Sequence, residues 1–511
     1  MKTAPNSRAA TVAALQSAVP PGLPSLAPTD LAVLDRLTAD LLDAVGDVGH
    51  QELRRFEAIK DRHLDVDTAA LDLAHRGKTV LVTGGTGCIG SSLLAELRKF
   101  GPRHLVSFSR GVSSHWAVVD DVHYRWVDIR DRPKLLTAVD ELQPDVVYHL
   151  AAQHNPGLAE QEVARTLTTN VTGTANVVEA CRRTGASIIY SSTGKALRPF
   201  SSDIYAGSKN ISEWLVAEAT DAGDLVASAA RFTHVVDNSI IACRFRGWTE
   251  SGTPIRLHGP DISFYLQSAR EAAQLLMCAG LDAVPGQLRL AAIRDLGWPI
   301  SLTDLAVGWL ASCDRWSPLY FCGFEAGYED VPYPALYDPR ISGDRSPLFN
   351  AFEVTSATDS PHSTDVDVCS IEPRTELRVK RSIRNLGHEA AIDADPRVLR
   401  GLLRECGWQM LADDLHAVPT NVLARHLEFV GSIPTDRFST DDLEIVHKVK
   451  GEMVGRMPSR APDPTEIDQS DAQRRPPPVV KGPKQRRTAG LRRRLRATLR
   501  EGVRSGGGDA A

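Results

Sequence analysis

What this 511-residue chain lacks narrows its class quickly. No apolar run approaches the ~20 residues of a membrane-spanning helix, and Met1 to Ser7 lead into Pro-rich sequence rather than a signal-peptide core. A cytoplasmic protein is expected. The eight cysteines include no Cys-x-x-Cys pair, and several fall inside apolar runs where a thiol behaves as a small hydrophobe. A reduced protein is expected, and no metal-ligating cluster is read. A net charge of −5 gives no electrostatic lead, and no nucleic-acid partner is expected. What remains is ordinary for a globular protein, 42% apolar and 24% charged, in a chain too long for a single core.

The densest information lies in Thr79 to Gly90, where an apolar strand runs into glycines three apart. Gly84 lets the chain turn sharply off the strand, Gly87 lets the backbone approach a pyrophosphate, and Gly90 lets the next helix pack on the sheet. Phosphate then rests on free N–H groups at a helix N-terminus, and the helical pattern of Ser91 to Phe100 supports this. The spacing resembles the Thr-Gly-x-x-Gly-x-x-Gly of extended short-chain dehydrogenase/reductases.

From Lys78 short apolar strands alternate with helices: Thr79–Val82, Leu105–Phe108, Tyr124–Val127, Val146–Leu150, Ser187–Tyr190 and Val226–Ala229. The alternation predicts an α/β fold, a Rossmann-type doubly wound parallel sheet with helices on both faces. Beyond about Phe232 it stops, so the cofactor-binding domain, residues 77–350, is expected to carry a smaller substrate-binding lobe, mainly 233–350. Leu31, Leu34, Leu37, Leu41, Leu42 and Val45 recur at helical spacing after Asp30, which predicts a helical N-terminal preface over 30–76 behind a disordered 1–29. Ser/Thr/Asp/Pro-rich sequence reads as a linker over 351–384, and helical patterning returns in a C-terminal extension over 385–455. A disordered basic tail fills 456–511. Within it, Leu491 to Arg500 reads first as solvated chain and second as a weak contact for anionic membrane.

The fifth strand ends in Tyr190-Ser-Ser-Thr-Gly-Lys195, followed by Tyr205-Ala-Gly-Ser-Lys209. Residues i and i+4 share a helix face, so the Lys209 ammonium is expected beside the Tyr205 phenol, lowering its pKa and reaching the nicotinamide ribose. Such a tyrosine removes an alcohol proton as hydride leaves for the cofactor, while Thr193 holds the reacting oxygen. Thr193 has a plainer reading as a strand-end residue that satisfies backbone.

Arg76 to Gly87, Asp145-Val-Val-Tyr-His-Leu-Ala-Ala152, Thr169-Asn-Val-Thr-Gly-Thr174 and Ser192-Thr-Gly-Lys-Ala196 together resemble the UDP-N-acetylglucosamine 4,6-dehydratase (polysaccharide biosynthesis) family of nucleotide-sugar enzymes. The likeness runs from about His63 to Asp338 and includes Arg231-Phe-Thr-His, Gly252 to His258 and Ser268 to Leu275 in the same order. It implies Thr193, Lys195, Tyr205 and Lys209 as catalytic residues. It implies cofactor contacts from Thr83, Gly84, Gly85, Thr86, Gly87, Cys88, Ile89 and Gly90, from Asp128 and Ile129, and from Leu150, Ala151, Ala152 and Asn170, besides Tyr205 and Lys209. His154, His234 and Arg256 fall where the family faces its sugar nucleotide, and a homo-oligomer is implied. The second strand ends in Ser109-Arg110, a hydroxyl and a guanidinium that suit a 2′-phosphate, so NADP is expected with NAD as the alternative.

Gly194 stands where the family has an aspartate that helps expel the C6 hydroxyl. The expected activity is therefore nucleotide-sugar modification of the 4,6-dehydratase or epimerase type, through a 4-keto intermediate, on a UDP-N-acetylhexosamine. The alternatives are a C4 ketoreductase or epimerase on another nucleotide sugar, and a cofactor-binding scaffold without turnover.

Overall fold

Short, fully apolar runs bounded by glycine and polar turns make strands that are buried on both faces, and here they become the middle of one ten-stranded sheet. The computed structural model describes residues 7–111, 118–221, 223, 225–328, 345–371, 376–434 and 438–456. Strands β1 (Thr79–Thr83), β2 (His104–Ser109), β3 (His123–Trp126), β4 (Val146–His149), β5 (Ser187–Ser191) and β6 (Val226–Ala230) run parallel in the order β3-β2-β1-β4-β5-β6. The order reverses at β1, so the crevice between the ends of β1 and β4 is the topological switch point of a doubly wound sheet.

The sheet continues past the point where the sequence pattern fades. Strand β7 (Leu288–Ile293) adds parallel to β6, and β8 (Val366–Ile371) adds antiparallel to β7. The expected linker over 351–384 is thus overturned. Its Asp367 is fully buried and pairs with Arg294 and Arg345, so the acidic residue is an anchor rather than a mark of mobile chain. A helix already begins at Leu377.

The N-terminal 1–29 is also corrected over the residues described. Ser7 caps a helix, Arg8–Ala18, whose Val12 and Leu15 are buried, and Arg8 grips Asp304 through two bonds of 3.0 Å. A second helix, Pro28–Ala58, crosses the helix Leu302–Ser312 where Gly49 meets Gly308, so closely that a Cβ on Gly308 would run into the Gly49 carbonyl. Both N-terminal helices share one apolar core with the lobe residues Phe245, Ile255, Leu305 and Tyr320.

The C-terminal helices Leu377–Ala391 and Pro396–Ala417 lie on the sheet's helical layer. Val379, Ile383, Leu386 and Leu403 share an apolar cluster with Val163, Leu167, Ile211 and Trp214. Two more helices, Thr420–Gly431 and Thr440–Arg456, follow. No helix of the described residues is long and apolar enough to cross a membrane. Leu491 to Arg500 lies outside the described residues.

Candidate active site

The carboxyl ends of the parallel strands open on a cavity of about 1420 Å³. The glycine loop forms one wall. Gly84 has a φ of +77°, and a Cβ there would stand 2.8 Å from the Ala151 nitrogen, while a Cβ on Gly90 would run into the Gly84 carbonyl. Packing therefore demands both glycines. Gly87 differs: the nearest protein atom to a Cβ there is 3.4 Å away, and the residue faces the cavity. It is also the N-cap of the helix Cys88–Arg98, which has no side-chain cap, so N–H groups are left for an anion. A dinucleotide pyrophosphate fits that cradle. Cys88 stays a thiol beside it, because burial, helped by Asp237, pushes its pKa up to about 12.

Among the described residues, Arg110, Arg130, Arg165, Lys195, Lys209, Arg244 and Arg256 line the cavity against one carboxylate, Asp128. Asp128 lies 2.6 Å from Arg130. Burial works to raise its pKa, but the Arg130 hydrogen bonds and the Arg110 charge outweigh this and hold it below the usual range. No group of three or more His, Cys, Asp or Glu among the described residues is placed to hold a metal.

Strand β5 delivers Ser191 to Thr193 to the opposite wall, and the helix Ile204–Glu218 delivers Tyr205 and Lys209 on one face. Asp203 caps this helix, accepting from the Ala206 N–H at 2.9 Å. Lys209 Nζ donates to the Ser191 carbonyl at 2.6 Å and lies 4.3 Å from the Tyr190 ring centroid. Burial pushes the ammonium down to about 7, against the opposing pull of Glu213. The expected lowering of the Tyr205 phenol by Lys209 is not found. Burial raises the phenol, a hydrogen bond from Thr193 opposes, and Asp203 adds to the rise. The ammonium is committed to a strand carbonyl instead.

Lys195 Nζ donates to the Gly327 carbonyl at 2.7 Å and to Asp203 at 3.4 Å. Its neighbour Gly194 also lines the cavity: its N–H donates to the Phe232 carbonyl at 2.6 Å, and a Cβ would stand 3.1 Å from the Leu348 side chain. Beneath them, Glu213 accepts from the Ser192 hydroxyl and pairs with Arg231 at 2.8 Å, which also meets Glu353 at 2.7 Å.

The structure brings to this cavity Thr193, Lys195, Tyr205 and Lys209, the loop residues Gly84, Thr86, Gly87, Cys88, Ile89 and Gly90, and Ser109, Arg110, Asp128 and Ile129. Leu150, Ala151 and Ala152 line it as well. So do His154, His234 and Arg256. His234 is neutral at ordinary pH, since burial pushes it down to about 4, and Arg256 donates to the Leu23 carbonyl at 2.8 Å. Thr83, Gly85 and Asn170 stand behind the wall. The Thr83 hydroxyl bonds to His149 at 2.7 Å, Gly85 is pressed against Ser107, and Asn170 ties Gln153 to Ser208.

Sequence reasoning missed Arg244, His258, Phe324 and Tyr328. The His258 ring lies tilted, 4.7 Å from the Tyr328 ring and 5.5 Å from that of Phe324, and the Arg244 guanidinium lies 5.7 Å from the Tyr328 centroid. Arg244 sits on the helix Ile240–Ser251, and Phe324 and Tyr328 follow the last lobe strand, where no motif marks them; His258 ends the family-like segment Gly252 to His258, which gave it no role of its own.

Residues 80–316 match the family described as Polysaccharide biosynthesis protein. The matched segment holds both the glycine loop and the Tyr205–Lys209 pair, whereas the helices at either end of the chain lie outside it. A probable polysaccharide biosynthesis protein EpsC of Bacillus subtilis is 27% identical over 50% of this chain and 44% of its own. The capsular polysaccharide biosynthesis protein CapD of Staphylococcus aureus is 27% identical over 48% and 42%. A UDP-N-acetylglucosamine 4,6-dehydratase (inverting) of Campylobacter jejuni is 30% identical over 28% and 44%. The chain thus spans less than half the length of these relatives. Among solved structures, Pen from Bacillus thuringiensis aligns at 20% identity over 59% of this chain and 89% of that one, with a TM-score of 0.49. The fold assignment rests on the strand order itself.

Proposed function

We propose that the protein is an NADP(H)-dependent nucleotide-sugar enzyme of the extended short-chain dehydrogenase type, acting through a 4-keto intermediate in polysaccharide or glycoconjugate biosynthesis. The observation that carries this reading is the meeting, in one cation-lined cavity, of a pyrophosphate cradle with Thr193, Tyr205 and Lys209. The glycine loop with Arg110, Tyr205 and Lys209 would hold NADP, which would supply reversible hydride chemistry at the sugar. Arg110 and Arg130 suit a 2′-phosphate, and Arg244 and Arg256 suit the substrate's diphosphate. Tyr205 takes the C4 hydroxyl proton, Thr193 holds that oxygen, and Lys209 meets ribose hydroxyls. Lys195, as its neutral amine, is the base for the C5 proton, which a 4-keto group acidifies.

Gly194 decides between outcomes. A Cβ at Gly194 would stand 3.1 Å from Leu348 and 3.2 Å from the Phe232 carbonyl, a tight fit for any side chain, and the cavity's one carboxylate among the described residues is held by Arg130. With no unpaired carboxylate in the cavity among the described residues to expel the C6 hydroxyl, epimerisation or reduction is favoured over dehydration. The Campylobacter relative's name favours dehydration as the second reading. Purified protein incubated with UDP-N-acetylhexosamines and NADP+ in D2O, with products analysed by mass spectrometry, tests both. Expected is a product that keeps its oxygens and gains deuterium at C5. Loss of water establishes the second reading, and absence of any turnover across nucleotide sugars overturns both.

A further inference from the structure

Between Thr193 and Tyr205 the chain makes few backbone hydrogen bonds of its own, and side chains from far along the sequence take up its polar groups. The Leu197 carbonyl accepts from Asn350 at 3.0 Å. The Ser202 N–H donates to Asp441 at 2.7 Å, and its hydroxyl donates to the same carboxylate at 2.9 Å. The Arg198 guanidinium donates to both oxygens of Asp442, at 3.1 and 3.3 Å, and the two side chains are only 2% and 0% exposed. Asp442 is fixed in turn by Ser439, whose hydroxyl donates to it at 2.7 Å and accepts from its N–H at 3.2 Å. Phe200 completes the attachment by sharing an apolar cluster with Leu411, Leu423 and Ile445.

Three links connect these grips to the chemistry. Ser202 adjoins Asp203, and Asp203 both caps the Tyr205 helix and receives the Lys195 ammonium. The Arg198 carbonyl accepts from Asn210, on the same helix as Tyr205 and Lys209. Apolar packing alone would hold the loop as firmly, whereas a buried ion pair of this kind fixes direction and register. None of these C-terminal residues lies within 80–316, the stretch that carries the family likeness.

We propose that Asp441 and Asp442 are positioning residues for the reaction: through Ser202 and Arg198 they fix the loop that sets Lys195 against Tyr205. This rests on the reaction proposed above. The C-terminal helices are then part of the active site's scaffold rather than an appended region.

The test uses the full chain. Asp442→Asn, Asp441→Asn and Ser202→Ala are compared with Val430→Ala, which loosens the C-terminal helices where Val430 meets Val446, away from the loop. Each variant is measured for NADPH affinity, Tm, kcat and KM with UDP-N-acetylglucosamine, and hydrogen exchange across 194–204. A misplaced reacting group costs on the order of 10- to 100-fold in rate, so Asp442→Asn should lower kcat by that factor. NADPH affinity and KM should stay unchanged, and exchange should quicken in 194–204 but not in β1. Val430→Ala should lower Tm and leave kcat alone. Ser202→Thr, which keeps the hydroxyl, should restore what Ser202→Ala loses.

Unchanged kcat in Asp442→Asn, or the same loss in Val430→Ala, overturns the proposal. Should Asp442→Asn fail to fold, Ser202→Ala decides, and full activity in it overturns the proposal. A wild-type protein that turns over no nucleotide sugar counts against the proposed function. The exchange measurement then judges the clamp by itself, and unaltered exchange in 194–204 overturns it.

Discussion

The loop after β1 and the loop after β5 face each other across one cavity, yet they are held in opposite ways. The first is shaped by neighbours: Gly90 closes on Gly84 within the same few residues, and the Gly84 N–H bonds to Phe108 on the adjoining strand at 2.7 Å. The second is shaped at a distance, by Glu160, Asn350, Asp441 and Asp442, with Glu160 accepting from the Ile204 N–H at 2.8 Å. A binding loop that cradles a common anion is met by backbone alone. A loop that sets two side chains, Lys195 and Tyr205, against each other draws on the rest of the chain.

The largest effect that sharpens this contrast comes from Tyr205→Phe. It removes only the ionisable oxygen, so turnover should fall by ~10²–10⁴ while NADPH affinity and Tm are kept, as steady-state assays and calorimetry will read. Unchanged turnover would move the base elsewhere. Next, the two kinds of glycine in the first loop should separate. Gly90→Ala forces the Gly84 carbonyl aside and should cost about 1–3 kcal/mol in denaturant melts. Gly87→Ala meets no protein atom closer than 3.4 Å and should leave stability within about 0.5 kcal/mol while NADPH binding falls, by titration.

In the second loop, Gly194→Asp should lower stability by about 1–3 kcal/mol and give no dehydrated product, because Leu348 fills the space. Adding Leu348→Ala should recover part of the Tm, and dehydration by the single variant would break the argument. Arg110→Ala should weaken NADPH by about tenfold and spare NADH, if its guanidinium meets a phosphate with net worth of about 1.4 kcal/mol. Equal affinities before and after would reject the NADP assignment.

The smallest effect concerns Lys209. Its folded pKa, pushed down to about 7 chiefly by burial, lies below the ~10.4 of an unfolded lysine. Between those values the unfolded chain binds more protons, so stability of the cofactor-free protein should rise with pH across that window. Lys209→Met should flatten the rise in a pH series of melts.

Six strands, the glycine loop and the Tyr205–Lys209 pair were legible because each is written in consecutive residues with a fixed period. Strand β7 escaped notice because Leu-Arg-Leu-Ala-Ala-Ile is alanine-rich and weak in strand propensity. Strand β8 escaped because Asp367, an apparent loop residue, is buried by pairing with arginines far away in the chain. The helix Arg8–Ala18 looked like low-complexity sequence, although Val12, Leu15 and Val19 mark its buried side. Arg244 and Tyr328 meet His258 only when the lobe folds, so their joint chemistry had no local spelling.

The reach from Arg198 to Asp442, 244 positions, also sets an order of events during synthesis. At ~5–20 residues per second the ribosome needs roughly 12–50 s to carry the chain from one partner to the other. Throughout that interval a nascent chain owns its pyrophosphate cradle but not the carboxylates that hold the loop opposite. On the proposed reading, occupancy by cofactor becomes available before competence to react, and the helix Thr440–Arg456 is the last of the loop's anchors to arrive.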